Sequence, residues 1–426
     1  MNALAQLLHA RGVQVSGSDR LHDNGDDTEI LNKLVKGGIQ LCPQDGSAVT
    51  RDTTALVVST AIEDDNPDIA AAQRLEVPIV HRARMLAECV KEHRCIAVGG
   101  TSGKTTITGM LGWIFEQVGA DPTVVNGAPL LNWADCGQIG NVRVGESDIA
   151  IIEADESDKS LLGFSPEYST VSNISRDHFA LDETFALFRD FAIKTARTVV
   201  CGPDVPLGRL DSGNLYKAEF DDAEIQEGFL YKGVPFKVKL PGRHNLENAL
   251  VAVALCDRFG LDLPLVKTAL ASFKGIERRL QKIGELGGVS VFDDYAHNPA
   301  KIAAAWRTLA SEEKRILGVW RPHGFGPLHA MRRELVDMFR DVCGSEDRLF
   351  ILPVYYVGGT TARRTTSQQF VDVLRQEGVN AELVEDYEQL MDVLRRVIVR
   401  GDTVLCMGAR DPELPRFAVR IFSDGL

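Results

Sequence analysis

Nothing in this sequence reads as an export signal, a membrane anchor or a disulfide framework. No apolar run approaches the roughly 20 residues that a membrane-spanning helix needs. The first residues show neither a basic stretch followed by an apolar one nor a small-residue cleavage pattern. The eight cysteines form no C-x-x-C pair. Several, such as Cys95 in CIAVGG and Cys406 in TVLCMG, lie inside apolar runs, so buried free thiols are expected and a zinc site is not. Positive charge is also scarce: 47 Lys and Arg face 60 Asp and Glu, a formal net charge of -13. That balance argues against nucleic acid or an anionic membrane as the main partner, yet leaves room for a local basic pocket. Repeats of solenoid length and low-complexity segments are lacking too. These absences leave a globular chain, expected to be cytoplasmic.

What is present is alternation. At 426 residues the chain is too long for one ordinary core, and two or three domains are expected. Short Val- and Ile-rich runs alternate with helical patterns: ALVVST (55–60), CIAV (95–98), IAIIEAD (149–155), RILGVW (315–320) and TVLCMG (403–408). Such runs predict parallel sheets with helices on both faces, an α/β fold. Three blocks separate at 1–91, 92–277 and 278–426. The first is odd. Residues 2–11 predict a helix with Leu4, Leu7 and Leu8 on one face, followed by a strand in VQVSGSD. A nucleotide-binding βαβ unit puts a strand and a glycine-rich turn before that helix. Here the helix begins the chain, and the block is read as lacking its opening strand.

The sharpest local signal is GGTSGKTT (99–106), directly after the strand CIAV. Ile107, Met110, Leu111, Ile114, Phe115 and Val118 follow at spacings of three and four, one apolar helical face. Strand, glycine-rich turn and helix N-terminus together present backbone N–H groups to an anion. Lys104 would reach terminal phosphates and the Thr105 hydroxyl would ligate Mg²⁺. The usual longer phosphate loop carries a glycine five residues before Gly103, where this chain has Val98. A second strand ends in the acids Glu153, Asp155, Glu156 and Asp158. A third strand-like run, TVSNISRDH, ends in Asp177 and His178. Carboxylates at parallel-strand ends can hold a hard cation beside a phosphate, so these ends predict one ATP and Mg²⁺ site.

In order, LAQLLHARGVQVSGSD, STAIEDDNP, GGTSGKTT, EADESDKS, SNISRDH, GRHNLENALVAVA, GIERRL and DDYAHNPAKI run through nearly the whole chain. In that order they resemble the Mur ligases of bacterial cell-wall synthesis, and the alanine-adding branch in particular. The resemblance implies three domains: a Rossmann-like N-terminal domain, here without its first strand, a central P-loop-type ATPase domain, and a Rossmann-like C-terminal domain. It implies an ATP-dependent, Mg²⁺-requiring ligase that turns the carboxylate of a UDP-N-acetylmuramate-like nucleotide sugar into an acyl phosphate, which an amino acid, L-alanine first, then attacks. Lys104, Glu153, His178 and Arg279 would be catalytic, with Thr105, Glu153 and His178 on the metal. Gly100, Thr101, Ser102, Gly103, Lys104, Thr105, Thr106, His244, Asn245, Arg279 and Asp294 would hold ATP. His297, Asn298 and His323 would meet the substrates. The protein would work as a monomer or homodimer, apart from nucleic acid and membrane. Lys194 stands near the place of a carbamylated lysine in some relatives, but the alanine-adding branch lacks that group and a surface lysine is expected.

Departures from the branch limit the substrate. Its nucleotide-sugar domain opens with a strand and glycine-rich loop, and this chain starts after them. Where the branch reads PHR, with an arginine that helps receive the amino acid, this chain reads PHG, with Gly324. Arg332 or Arg333 would be substitutes. The run AHNPAK has Asn298 and Lys301 at positions the branch fills differently, and GARDPELPRF is an unusual ending. The ATP site reads intact and the acceptor site diverged. Two alternatives stand beside the ligase reading. One is a recycling-type ligase that adds a peptide, against which Ser157 stands where a tyrosine is typical. The other is a non-catalytic nucleotide-binding scaffold.

Overall fold

The β-branched runs become strands and the runs between them helices in the computed structural model. It describes residues 1–25, 29–60, 62–134, 137–175, 179–222, 227–310, 314–356 and 365–423, with Leu21 described in its backbone only. The chain divides into two compact units, Met1–Glu277 and Arg278–Leu426. Among the described residues no helix is long and apolar enough to cross a membrane. The seven described cysteines are free thiols, and Cys95, Cys201, Cys256 and Cys406 are buried.

The first unit begins with the helix Asn2–Ala10. Two separate parallel pairs follow: β1 (Ser16–Ser18) with β2 (Gln40–Cys42), and β3 (Leu56–Val58) with β4 (Ile79–His81). The opening helix spans both pairs. Ala5 packs with Val15 and Leu41 of the first, while Leu4, Leu7 and Leu8 join the cluster that takes in Val57 of the second. Leu7 is fully buried, so Leu7→Ala is worth about 2–5 kcal/mol of lost packing. At the strand ends Ser18 donates to Asp68 Oδ2 at 2.5 Å, and Gly46 N donates to Asp68 Oδ1 at 2.9 Å.

The larger sheet of this unit contains β5 (Arg94–Gly99), β6 (Thr123–Val125), β7 (Val142–Arg143), β8 (Ile149–Glu153), β9 (Tyr168–Val171), β10 (Thr198–Cys201) and β11 (Leu215–Lys217). Their order is β11-β10-β9-β5-β8-β6-β7. All neighbours are parallel except β6 and β7. A hairpin of β12 (Gly228–Tyr231) and β13 (Val234–Lys237) lies beside it. The helix Lys104–Gln117 departs from its expected single stripe, since it is buried almost all round. Its second covering comes from the helix Arg243–Phe259 and from Ile276, whose apolar residues share its core. Periodicity within one helix cannot announce a second neighbour. The third predicted strand is also displaced: β9 ends at Val171, and residues 172–175 are loop.

In the second unit, β14 (Gln281–Leu286), β15 (Val289–Asp294), β16 (Ile316–Trp320), β17 (Arg348–Ile351), β18 (Ala381–Leu383) and β19 (Thr403–Met407) form one sheet in the order β14-β15-β19-β16-β17-β18. Only β14 runs antiparallel to its neighbour. Two apolar clusters cover its faces. Functional side chains therefore collect beyond the carboxyl ends of the central strands, where α/β sheets bind ligands.

Candidate active site

The glycine-rich loop leaves β5 and enters the helix Lys104–Gln117 in a conformation only glycine adopts freely. Gly100 has φ +135° and Gly103 φ +83°. A Cβ on Gly100 would lie 1.9 Å from Ser172 Oγ, and one on Gly103 would lie 2.2 Å from Asn248 Oδ1. The loop is thus clamped between the end of β9 and the helix Arg243–Phe259. Asn173 holds it from one side: its Oδ1 accepts from Ser102 N at 3.0 Å and from the Thr101 hydroxyl at 2.7 Å. The Ser172 hydroxyl donates to Ser102 O at 2.5 Å. Thr106 is buried in the first turn of the helix.

Lys104 is nearly enclosed. Its ammonium donates to Glu156 at 2.5 Å and to Gly100 O at 3.0 Å, with Asp155 at 3.9 Å. Burial pulls the Lys104 pKa down, but Glu156, Glu153 and Asp155 outweigh it and the net shift is upward. Burial raises the Asp155 pKa, while Lys104, Ser157 and Arg82 lower it, and the lowering wins. Arg82, just past β4, reaches Asp158 at 3.4 Å and Asp155 at 3.6 Å.

Beside the lysine, the Thr105 hydroxyl donates to Glu153 Oε1 at 3.1 Å, and Gly127 N donates to Glu153 Oε2 at 2.9 Å. These are hard oxygen donors of the kind Mg²⁺ takes, usually with one or two carboxylates, waters and phosphate oxygens. Among the described residues no group of three or more His, Cys, Asp or Glu gathers as a metal cage. The pair at Thr105 and Glu153 fits Mg²⁺ without one. His178 and Asp177 lie outside the described residues.

The helix Arg243–Phe259 starts at Gly242. His244 is exposed in its first turn, and Asn245 is buried, donating to Pro241 O at 2.7 Å. Asn248 stacks behind it against Gly103. Lys194 is exposed and donates to Leu162 O.

The second unit carries the other predicted residues on its own rim. Of the two adjacent arginines, Arg278 is locked: it meets Asp293 at 3.0 Å and donates to Gly408 O at 2.5 Å. Arg279 lies 5.5 Å from the Tyr295 ring centroid. Both Asp294 carboxylate oxygens accept backbone N–H groups, from Leu280 at 2.6 Å and Ala296 at 2.7 Å. Asn298 caps the helix Pro299–Leu309 by accepting from Lys301 N. His297 and His323 meet edge to face, with ring centroids 4.9 Å apart. Burial, aided by His297 and Arg410, pushes the His323 pKa down to about 4.

Several of these partners were not separable by motif. Glu156 is one acid among four in EADESD, and Asn173 and Arg82 carry no pattern of their own. Only the packing of β5, β8 and β9 side by side selects the first two, and only the ion pairs to Asp155 and Asp158 select Arg82.

Comparison with known proteins agrees along the whole chain. Family models match in succession: "Mur ligase family, catalytic domain" over residues 1–94, "Mur ligase middle domain" over 98–187, and "Mur ligase, glutamate ligase domain" over 278–410. The UDP-N-acetylmuramate--L-alanine ligase of Vesicomyosocius okutanii is 30% identical over 98% of this chain and 94% of its own. The enzyme of the same name from Nitratidesulfovibrio vulgaris is 32% identical over 96% of this chain and 93% of its own. The crystal structure of UDP-N-acetylmuramate-alanine ligase MurC from Thermotoga maritima superposes with a TM-score of 0.80 at 26% identity, covering 100% of this chain and 97% of that one. The chain belongs to the Mur ligase family.

Proposed function

We propose that this protein is an ATP-dependent ligase of peptidoglycan precursor synthesis, joining the carboxylate of UDP-N-acetylmuramate to the amine of L-alanine. The observation that carries the reading is the glycine-rich loop that presents an almost buried Lys104 beside the Thr105–Glu153 hydrogen bond. Similarity to alanine-adding ligases over nearly all of the chain supports the substrates.

The chemistry asks for these charges. A carboxylate oxygen of the substrate attacks the γ-phosphorus of ATP and ADP leaves, so anion approaches anion. Lys104 and the loop N–H groups offset the charge that develops. Thr105 and Glu153 would hold Mg²⁺, which when bound supplies further charge neutralisation at the phosphates. His178 belongs to this metal assignment by motif, as Arg279, Asp294, His244 and Asn245 belong to the nucleotide assignment. The acyl phosphate formed is then attacked by the unprotonated amine. The tetrahedral intermediate expels phosphate, a proton is lost, and the amide remains. His297, Asn298 and His323 are assigned to substrate by the same motif argument.

Phosphate release from ATP and Mg²⁺ with UDP-N-acetylmuramate, across a panel of single amino acids, tests the proposal. Release that requires both the nucleotide sugar and one amino acid, and disappears in Lys104→Ala, is the expected result. ATP binding without acceptor-dependent release would overturn it in favour of a nucleotide-binding scaffold. Release with a peptide only would favour a recycling-type ligase.

A further inference from the structure

Three adjacent strands of the second unit end level with one another. In the order β15-β19-β16, Asp294 pairs with Met407 and Met407 with Trp320. Three residues beyond each of those ends stand His297, Arg410 and His323. The two histidines flank the strand that leads to Arg410, and their rings meet across it.

The turn that bears Arg410 is fixed from both sides. Before it, Arg278 donates to Gly408 O and to Ala409 O at 3.3 Å. After it, Asp411 receives Arg321 at 2.6 Å and the Tyr387 hydroxyl. Ala409 and Asp411 are buried, and Arg410 between them is exposed. The carboxylate next to it in sequence is thus engaged by another arginine. Meanwhile Gly324, where the family resemblance sets an acceptor-binding arginine, has φ +111° and ψ 146°. That backbone suits glycine and strains any other residue. Arg332 and Arg333 lie exposed on the helix Arg332–Val342.

Resting on the ligase reading above, the geometry points to Arg410 as the residue that receives the carboxylate of the incoming amino acid, with His297 and His323 beside its amine. The charge sits on a rigid turn, so little ordering is lost on binding. A planar guanidinium matches a carboxylate in two parallel hydrogen bonds. The same positive charge disfavours an ammonium beside it, and the neutral imidazole of His323 offers the amine an uncharged hydrogen-bonding neighbour. The acceptor amine is thereby kept in its nucleophilic form.

The test compares L-alanine with L-alaninamide as acceptors for the full chain, its R410A and R410K variants, and R333A. Losing a charge-assisted pair raises the KM for L-alanine about 10- to 100-fold in R410A. The preference for L-alanine over its amide should collapse in R410A, return in part in R410K, and stay at the wild-type value in R333A. An unchanged preference in R410A, or its loss in R333A instead, overturns the assignment. Trapping the acyl phosphate of the wild type with hydroxylamine separates the two levels. If the hydroxamate forms, a failure belongs to Arg410 alone. If it does not, the ligase reading falls, and this assignment with it.

Discussion

Lys104 and Glu156 form a pair whose removal can be worked through in numbers. Their contact is 2.5 Å, with side chains only 13% and 3% exposed. Replacing Lys104 by Met keeps the volume of the stem but leaves the Glu156 carboxylate buried without its cation. Breaking a buried pair from one side costs about 3–5 kcal/mol, whereas replacing both members by apolar side chains is often close to neutral. Lys104→Met should therefore be destabilised by about 3–5 kcal/mol, and Lys104→Met with Glu156→Leu should recover most of it. A chain with two compact units is not expected to unfold in one step. The assay is accordingly urea-dependent amide exchange in peptides from the helix Lys104–Gln117, which reports its own unit. Because the folded Lys104 pKa is raised, the stabilisation is fully present below the ordinary lysine value and is lost as pH rises through the raised one. ATP turnover should fall at least 100-fold in both variants, since neither keeps the cation. A single variant within about 1 kcal/mol of wild type would refute the burial argument, because an exposed pair is worth no more than that.

Other outcomes follow from the same geometry. Glu153→Gln keeps one acceptor oxygen, for Gly127 N, and turns its amide as a donor to the Thr105 hydroxyl, but it loses the charge, so the Mg²⁺ concentration for half-maximal activity should rise about 10-fold or more in a Mg²⁺ titration. Gly103→Ala puts a Cβ 2.2 Å from Asn248 Oδ1 at φ +83°. It should cost about 1–3 kcal/mol, measured by the same urea-dependent amide exchange in the helix Lys104–Gln117, and adding Asn248→Ala should recover only the steric part. His323, with its folded pKa near 4, binds fewer protons in the folded state than in the unfolded state between about 4 and 6.5. That term makes stability rise with pH across the window. Asp293, pushed up to about 6 by burial against the pull of Arg278, works in the opposite direction between about 4 and 6. The difference between wild type and His323→Gln in pH-dependent urea unfolding should therefore isolate the rising term.

The parts of the fold legible in sequence were those with short-range causes. Ile149 to Ile152 and Thr403 to Cys406 are continuous β-branched or apolar runs, and both lie in strands covered on two faces. The glycine-rich loop was legible because positive φ at Gly100 and Gly103 demands glycine. The strand in TVSNISRDH was placed too late, since β-branched Ile174 lies in the loop that Asn173 ties to Ser102. Long-range choices were not legible. Arg278 and Arg279 are equivalent letters in GIERRL, and only the end of β19, more than a hundred residues on, makes the first a brace for Gly408. In the same way the near-complete burial of the helix Lys104–Gln117 depends on a helix that begins at Arg243.

The divided first block has a consequence for cooperativity. Two-stranded ribbons are marginal alone, and here β1-β2 and β3-β4 share the helix Asn2–Ala10 in place of a common ladder. That helix is itself moored to the larger sheet, where Asn141 accepts from Gln6 and donates to Asn2. The order of this block is thus borrowed through side chains from the sheet beneath it. A slip of one small helix would release both ribbons together, while the seven-stranded sheet kept its own hydrogen bonds.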